Sequence, residues 1–260
     1  MPRASSRFTT NRKRNRLEPF CDEDANMFGS SGRSRRSRGR RSSSDDGAGM
    51  KPSVSERAIT EMFKSYAEED DPTIIGMDGI DKLCTDLEID PAEDVRGLVL
   101  LWKIVGLSQS IPGQISSEEW EKGCTILSLD SLDKFRALVP SLDVGFIEHS
   151  DFKDLYKFVF QFNREGTHRT IDRESVIFLL ELILGKTGRV LPERLESFIT
   201  FLKDYKEGER VTLDQWTNFL EFSTKHPADD GENGINTYEE DGAWPIMIDE
   251  YVEFLKRSRL

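Results

Sequence analysis

The side chains of this chain with the plainest chemistry are carboxylates set among aromatic and small residues near the C-terminus. They occupy the run Tyr238-Glu239-Glu240-Asp241-Gly242-Ala243-Trp244-Pro245-Ile246-Met247-Ile248-Asp249-Glu250-Tyr251-Val252-Glu253-Phe254-Leu255. An acidic turn leads into Gly-Ala-Trp-Pro, and Pro245 stands where a first helical turn tolerates proline. From Ile248 the apolar residues recur at Tyr251, Val252 and Leu255, which is one face of a helix, while Asp249, Glu250 and Glu253 leave that face. The chemistry open to such a helix is recognition of a basic surface. The same pattern also describes a helix docked on a core with its acids solvated.

Other reactive groups are sparse. Cys21, Cys84 and Cys124 make no CxxC pair and no even framework, so neither a zinc ribbon nor a disulfide scaffold is signalled. His149, His168 and His226 form no motif with a cysteine, and Cys84 and Cys124 read as core residues, small and apolar. The phosphate-loop, dinucleotide, zinc-protease and hydrolase motifs are all absent. No cofactor or metal is expected, and the chain is not expected to be an enzyme.

The elements that would carry these residues are helical. Ile59, Met62, Phe63 and Tyr66 trace a first helical face. Residues 72–90 then repeat at 112–130 with a shift of forty, matching Pro72/Pro112, Ile75/Ile115, Lys82/Lys122, Cys84/Cys124, Thr85/Thr125, Leu87/Leu127 and Asp90/Asp130. Each copy reads as a loop, an aliphatic residue, a cap and an outgoing helix, the layout of an EF-hand. Calcium requires 6–8 oxygen ligands. The second loop offers Ser108, Ser110 and Pro112 where the first ligands belong, and the first loop ends on Gly79 in place of a glutamate. Both are rejected as calcium sites, and Ser116 with Glu119 is read instead as a capping box.

Residues 131–150, with Pro140 and Gly145, join this half to a second whose first helix is expected to begin near Ser150–Asp151. Leu155, Phe158, Val159 and Phe162 form its first stripe, and Val176 to Leu184 is apolar nearly all round. Ile171-Asp172 and Leu213-Asp214 each place an aspartate as the N-cap of an outgoing helix. The fold class is therefore all-α: tandem EF-hand-like helix–loop–helix units without calcium ligands, preceded by a disordered basic arm.

Charge divides the chain. Residues 1–50 hold 12 Lys+Arg against 6 Asp+Glu, a net of +6, leaving 24 basic and 42 acidic residues, a net of −18, in the remainder. An acidic body argues against nucleic acid as its ligand and for a basic protein surface. The arm carries Arg12-Lys13-Arg14-Asn15-Arg16 and a second cluster from Arg33 to Arg41 among serines. These predict an importin-read nuclear signal, tuned by phosphorylation at Ser34, Ser37 or Ser42–Ser44, or else a solvated basic tail. No apolar run is long enough for a membrane span, and no secretory leader or myristoylation start is seen. A monomer of the nucleus and cytoplasm, with no membrane partner, is expected.

Asp241-Gly242-Ala243-Trp244-Pro245 followed by Ile246-Met247-Ile248-Asp249-Glu250-Tyr251-Val252-Glu253-Phe254 resembles the C-terminal signature of the defective-in-cullin-neddylation family, whose members carry the PONY (DCUN1) domain. Leu213-Asp214-Gln215-Trp216, Leu220-Glu221-Phe222-Ser223, Gly76-Met77-Asp78-Gly79-Ile80, Asp90-Pro91-Ala92 and Trp102-Lys103 fit the same family. The resemblance covers roughly residues 55 to 257. It places a PONY domain at 54–257, with an EF-hand-like half at 54–130 and a C-terminal helical half at 150–257.

The resemblance implies a scaffold-type co-ligase that holds the C-terminal domain of a cullin and the charged conjugating enzyme of a ubiquitin-like modifier together. The family's cullin-binding patch falls on Asp214, Ala243 and Asp249. Its apolar pocket for the acetylated N-terminal methionine of the conjugating enzyme falls on Ile80, Leu83, Leu100, Leu101, Ile115, Phe162, Ile171, Phe178 and Leu182. The chain departs from the family pattern at Arg96-Gly97 and in a longer Gly106–Gly113 loop. The alternative is a non-catalytic EF-hand-like adaptor for another basic protein.

Overall fold

The computed structural model describes residues 54–106, 111–205, 208–228, 234, 235, 238 and 242–258. The basic arm at 1–50 lies outside the described residues, as do Ser108 and Ser110 of the second loop. Among the described residues, ten α-helices and four very short strands follow in order: α1 (Glu56–Tyr66), β1 (Ile74–Ile75), α2 (Met77–Asp86), α3 (Arg96–Val105), β2 (Ile115–Ser116), α4 (Ser117–Leu127), α5 (Leu132–Leu138), α6 (His149–Phe162), β3 (Thr170–Asp172), α7 (Arg173–Leu184), α8 (Pro192–Asp204), β4 (Arg210–Thr212), α9 (Leu213–Lys225) and α10 (Ile246–Arg257). Two 3-10 turns, Val139–Leu142 and Val144–Phe146, lie between α5 and α6.

Strands pair loop to loop. Ile75 faces Ile115 in an antiparallel β1–β2 pair, and Ile171 faces Val211 in β3–β4. A period longer than forty residues governs the layout. Ile75 and Ile171 are 96 residues apart, and so are Ile115 and Val211. The same offset relates the starts of α2 and α7, of α3 and α8, and of α4 and α9, and the ends of α1 and α6. The two halves repeat one another's layout; α5 and α10 have no counterpart among the described elements.

The same offset links the residues that lock each half. Ser116 caps α4 and Thr212 caps α9, each in a full capping box with Glu119 or Gln215 reaching back. Four residues past each cap stands a buried tryptophan. Trp120 Nε1 donates to the carbonyl of Ile59 on α1 at 3.2 Å, and Trp216 Nε1 donates to that of Tyr156 on α6 at 2.9 Å. Burial of an indole without a partner for its N–H would cost part of what its area gains. Trp216 also stacks on Tyr156 at 4.4 Å, and the tyrosine hydroxyl donates back to the Trp216 carbonyl.

Sequence expectations meet two corrections here. Asp172 is the N-cap of α7, accepting from the Ser175 amide, but Asp214 is not an N-cap: Thr212 holds that position and Asp214 lies in the first turn of α9. The residue aligned with Ile171 is Val211, two positions earlier than Leu213, which shifts the cap with it. The second half opens at His149 with Glu148 before it, so Ser150 and Asp151 fall inside the first turn of α6. Helix α5, within the expected connection, presents Phe135 to stack on Trp120 at 5.5 Å.

The first loop ends on glycine for a packing reason. A Cβ at Gly79 would stand 2.0 Å from the Tyr66 carbonyl oxygen, so α1 and α2 approach too closely there for a glutamate. Among the described residues no group of three or more His, Cys, Asp or Glu converges as a metal site. No helix among them is long and apolar enough to cross a membrane.

Candidate functional site

The C-terminal strap is built onto the second half. Met247, Ile248, Tyr251, Val252 and Leu255 turn the buried face of α10 toward α8 and α9. Tyr251 is the hub, with the rings of Phe198, Phe201 and Phe222 between 4.9 and 5.8 Å from its own. Aromatic contacts of this kind add to the area they bury. The 3.6-residue periodicity from Ile248 onward therefore corresponds to a buried stripe, and Asp249, Glu250 and Glu253 lie off it.

The loop ahead of α10 is pinned by Trp244. Its ring meets Phe222 edge-on at 5.9 Å, lies 6.1 Å from His226 and stacks on Tyr238 at 6.4 Å. Lys225 Nζ sits over the same indole at 5.2 Å, and its charge is taken up by Glu221 at 2.6 Å. With the tryptophan fixed, Ala243 beside it stands exposed. Pro245 immediately precedes the first helical residue, in extended backbone.

Beneath this strap lies Arg194 of α8, buried. Its Nη2 donates to the carbonyl of His226 at 2.7 Å, and the guanidinium lies over the rings of Phe222 and Tyr251 at 5.0 and 5.8 Å. His226 is the C-cap of α9, so a cation meets the negative end of that helix. Burial raises the Tyr251 phenol above its ordinary value, with Arg194 acting in the opposite sense.

The three patch residues fall as follows. Asp214 is exposed on the first turn of α9, where Asn218 Nδ2 donates to its Oδ1 at 3.1 Å. Ala243 is exposed in the strap. Asp249 is half-buried on α10 and accepts a hydrogen bond from the Tyr238 hydroxyl. Gln215, next to Asp214, and Met247, two residues before Asp249, both line one small cavity with Val211. Tyr238, Arg194 and Lys225 escape sequence reasoning because they act across loops and between helices, where no fixed spacing marks them.

The nine candidate pocket residues separate. Ile80, Leu83, Leu100, Leu101, Ile115, Phe162 and Ile171 are buried in the core, whereas Phe178 is 45% exposed and Leu182 is half-buried one turn further along α7. Leu182 lines a cleft with Val95, Arg96 and Asp143, while Phe162 borders a different one with Met77 and Gly113. Arg96 is paired with Asp94, its Nε 2.9 Å from Oδ2.

The buried thiols have little nucleophilic character. Burial pushes Cys84 up to about 11, with help from Asp81 and Asp94, and Cys124 up to about 12.

Comparison with known proteins places this surface in context. A family model described as "Cullin binding" matches residues 134–254, a span that contains Asp214, Ala243 and Asp249. Human DCN1-like protein 4 is 34% identical over 206 residues, covering 79% of this chain and 65% of its own length. The chain thus spans slightly less than two thirds of that relative. Drosophila melanogaster DCN1-like protein 4 is 33% identical over 210 residues, covering 81% and 79%. Rattus norvegicus DCN1-like protein 5 is 34% identical over 194 residues, 75% of each chain.

Proposed function

The chain belongs to the DCN1-like family of cullin-binding proteins, and we propose that it serves cullin neddylation as a scaffold co-ligase, holding the C-terminal domain of a cullin and the charged conjugating enzyme together. The observation that carries the reading is the C-terminal strap. Trp244 and Tyr238 fix the strap that carries an exposed Ala243 and a half-buried Asp249, and Asp214 is exposed on α9, the helix against which α10 packs. Carboxylates around a small methyl suit a lysine-rich surface: the charges speed encounter and the alanine permits close approach. In this reading the chain contributes no reacting group. Fixing two partners in one geometry replaces a bimolecular encounter by an oriented one.

The conjugating enzyme's acetylated N-terminus is assigned to the set around Ile80, Leu83, Leu100, Leu101, Ile115, Phe162 and Ile171. Phe178 and Leu182 lie further out, and insertion of a methionine requires the buried members to give way. Comparing acetylated with free conjugating-enzyme peptide tests this part, because equal binding removes the pocket. The basic arm at 1–50 is proposed as an importin-read signal, giving a monomer shared between nucleus and cytoplasm. Fusion of that arm to a reporter checks it, a purely cytosolic reporter counting against it.

The deciding experiment is a reconstituted cullin-modification assay with catalytic amounts of the chain. Conjugation is expected to accelerate, and Asp249→Lys is expected to abolish both the acceleration and cullin binding while leaving the circular dichroism unchanged. An adaptor for some other basic partner predicts no acceleration at all.

A further inference from the structure

Of the residues off the buried stripe of α10, Asp249, Glu253, Lys256 and Arg257 are charged, and Phe254 packs against Phe201 at 5.7 Å. Ile246 differs from all of them. It is the first residue of the helix, an aliphatic side chain that is 70% exposed. A lone exposed hydrophobe is ordinary on a protein surface and needs no explanation. The setting of this one is not ordinary: it lies three residues after Ala243 and three before Asp249. That spacing puts Ile246 and Asp249 on one side of the helix, a single turn apart. Trp244, half-buried and fixed by Phe222 and Tyr238, stands two residues before it. Nor does the fold ask for isoleucine here, since a β-branched residue is a modest helix former and this one buries little.

We propose that Ile246 is the apolar anchor of the cullin-facing patch and sets its specificity, seating against an aliphatic or aromatic side chain that the partner carries among its lysines. The inference rests on the cullin reading above and deepens it. Carboxylates alone would accept any basic surface, and their contribution fades with salt. An apolar contact one helical turn from Asp249 excludes water and demands a matching side chain. That is the arrangement in which a few central residues dominate an interface. Charge then governs the rate of encounter and Ile246 the lifetime of the complex.

The test uses the full chain and the recombinant C-terminal domain of a cullin, with affinity and rates measured at low and high salt. Ile246→Ala is expected to weaken binding about tenfold, mainly through faster dissociation, with an unchanged salt dependence. Ile246→Asp gives the sharper reading. It adds a negative charge to an acidic patch and suits the positive end of a helix, so the fold should hold, as a thermal melt will verify. A purely electrostatic patch predicts equal or tighter binding from this variant; an apolar anchor predicts a loss at least as large as that of the alanine. Asp249→Asn is measured alongside and should slow association and flatten the salt dependence. If Asp249→Asn weakens binding while Ile246→Asp does not, the anchor is overturned and the cullin reading stands. If the unsubstituted chain does not bind, or Asp249→Asn changes nothing, both are overturned.

Discussion

The Tyr238 hydroxyl donates to the carboxylate of Asp249, joining the loop ahead of the strap to the first turn of α10. One carboxylate oxygen is thereby held, and with it the rotamer of a side chain that the proposed function aims at a basic partner. The phenyl ring has a second task, since it stacks on Trp244.

Tyr238→Phe separates the two tasks, because it keeps the stacking and removes the hydrogen bond. Affinity for the cullin C-terminal domain is expected to fall several-fold, by the roughly 1 kcal/mol that one preset hydrogen bond contributes. The melting temperature should move little. Titration calorimetry paired with a thermal melt checks both, and an unchanged affinity would show that Asp249 needs no positioning.

Capping gives a contrast within α9. Thr212→Ala removes the hydroxyl that accepts from the Gln215 amide and should cost about 1 kcal/mol of stability. Asp214→Ala, two residues later, should cost a few tenths, reflecting its favourable place at a helix start. Urea denaturation ranks the two, and Asp214→Ala should nonetheless be the variant that loses cullin affinity. The reverse order of stabilities would restore Asp214 as the cap.

Cys84 and Cys124 should resist thiol reagents in the folded protein. Both are buried, and desolvation raises their thiols to about 11 and about 12, so thiolate is scarce at pH 8. Peptide mass spectrometry after iodoacetamide should find both unmodified until denaturant is added. Rapid native labelling of either would contradict the packing described.

The Asp94–Arg96 pair supplies a pH dependence of known sign. Hydrogen bonding from Arg96 holds the Asp94 carboxyl below its ordinary 3.8. Its stabilisation is therefore complete above that value and is lost as pH falls through the depressed one. Solvent screening keeps the effect below about 1 kcal/mol, as the Arg96 side chain is 36% exposed. Asp94→Asn should be the less stable protein at pH 6, and the gap should close as the pH drops below 3.8. A gap that persists or widens in acid would remove the ion pair as its source.

What could be read without coordinates followed from local rules. Periodicity located the α10 stripe from Ile248 to Leu255, since helical spacing is a property of neighbouring residues, and the Ser116–Glu119 capping box is likewise local. Shifting the chain by forty residues aligned Ile75 with Ile115, which the structure pairs across β1 and β2. The offset of 96 is hidden in the sequence because its signature is chemical rather than literal: Ser116 and Thr212 cap alike, Glu119 and Gln215 reach back alike, and the identical residues are few. With that offset hidden, the local pattern points to Asp214 as the second cap, where the structure has Thr212. The Arg194 contacts to His226, Phe222 and Tyr251 were beyond reach, because they depend on where a helix thirty residues away is laid down. The scattering of the pocket set has the same origin, since Ile80 and Phe178 share an apolar character but not a depth.

Helix α10, which has no counterpart among the described elements of the first half, lids a floor of rings. Phe198, Phe201, Phe219 and Phe222 meet Tyr251 from below, so a chain cut short before Pro245 would leave those rings wet and prone to clump. Stability and docking are thus written on opposite sides of one cylinder. A product lacking α10 would therefore lose the cover over these rings and the proposed cullin-facing residues in one step.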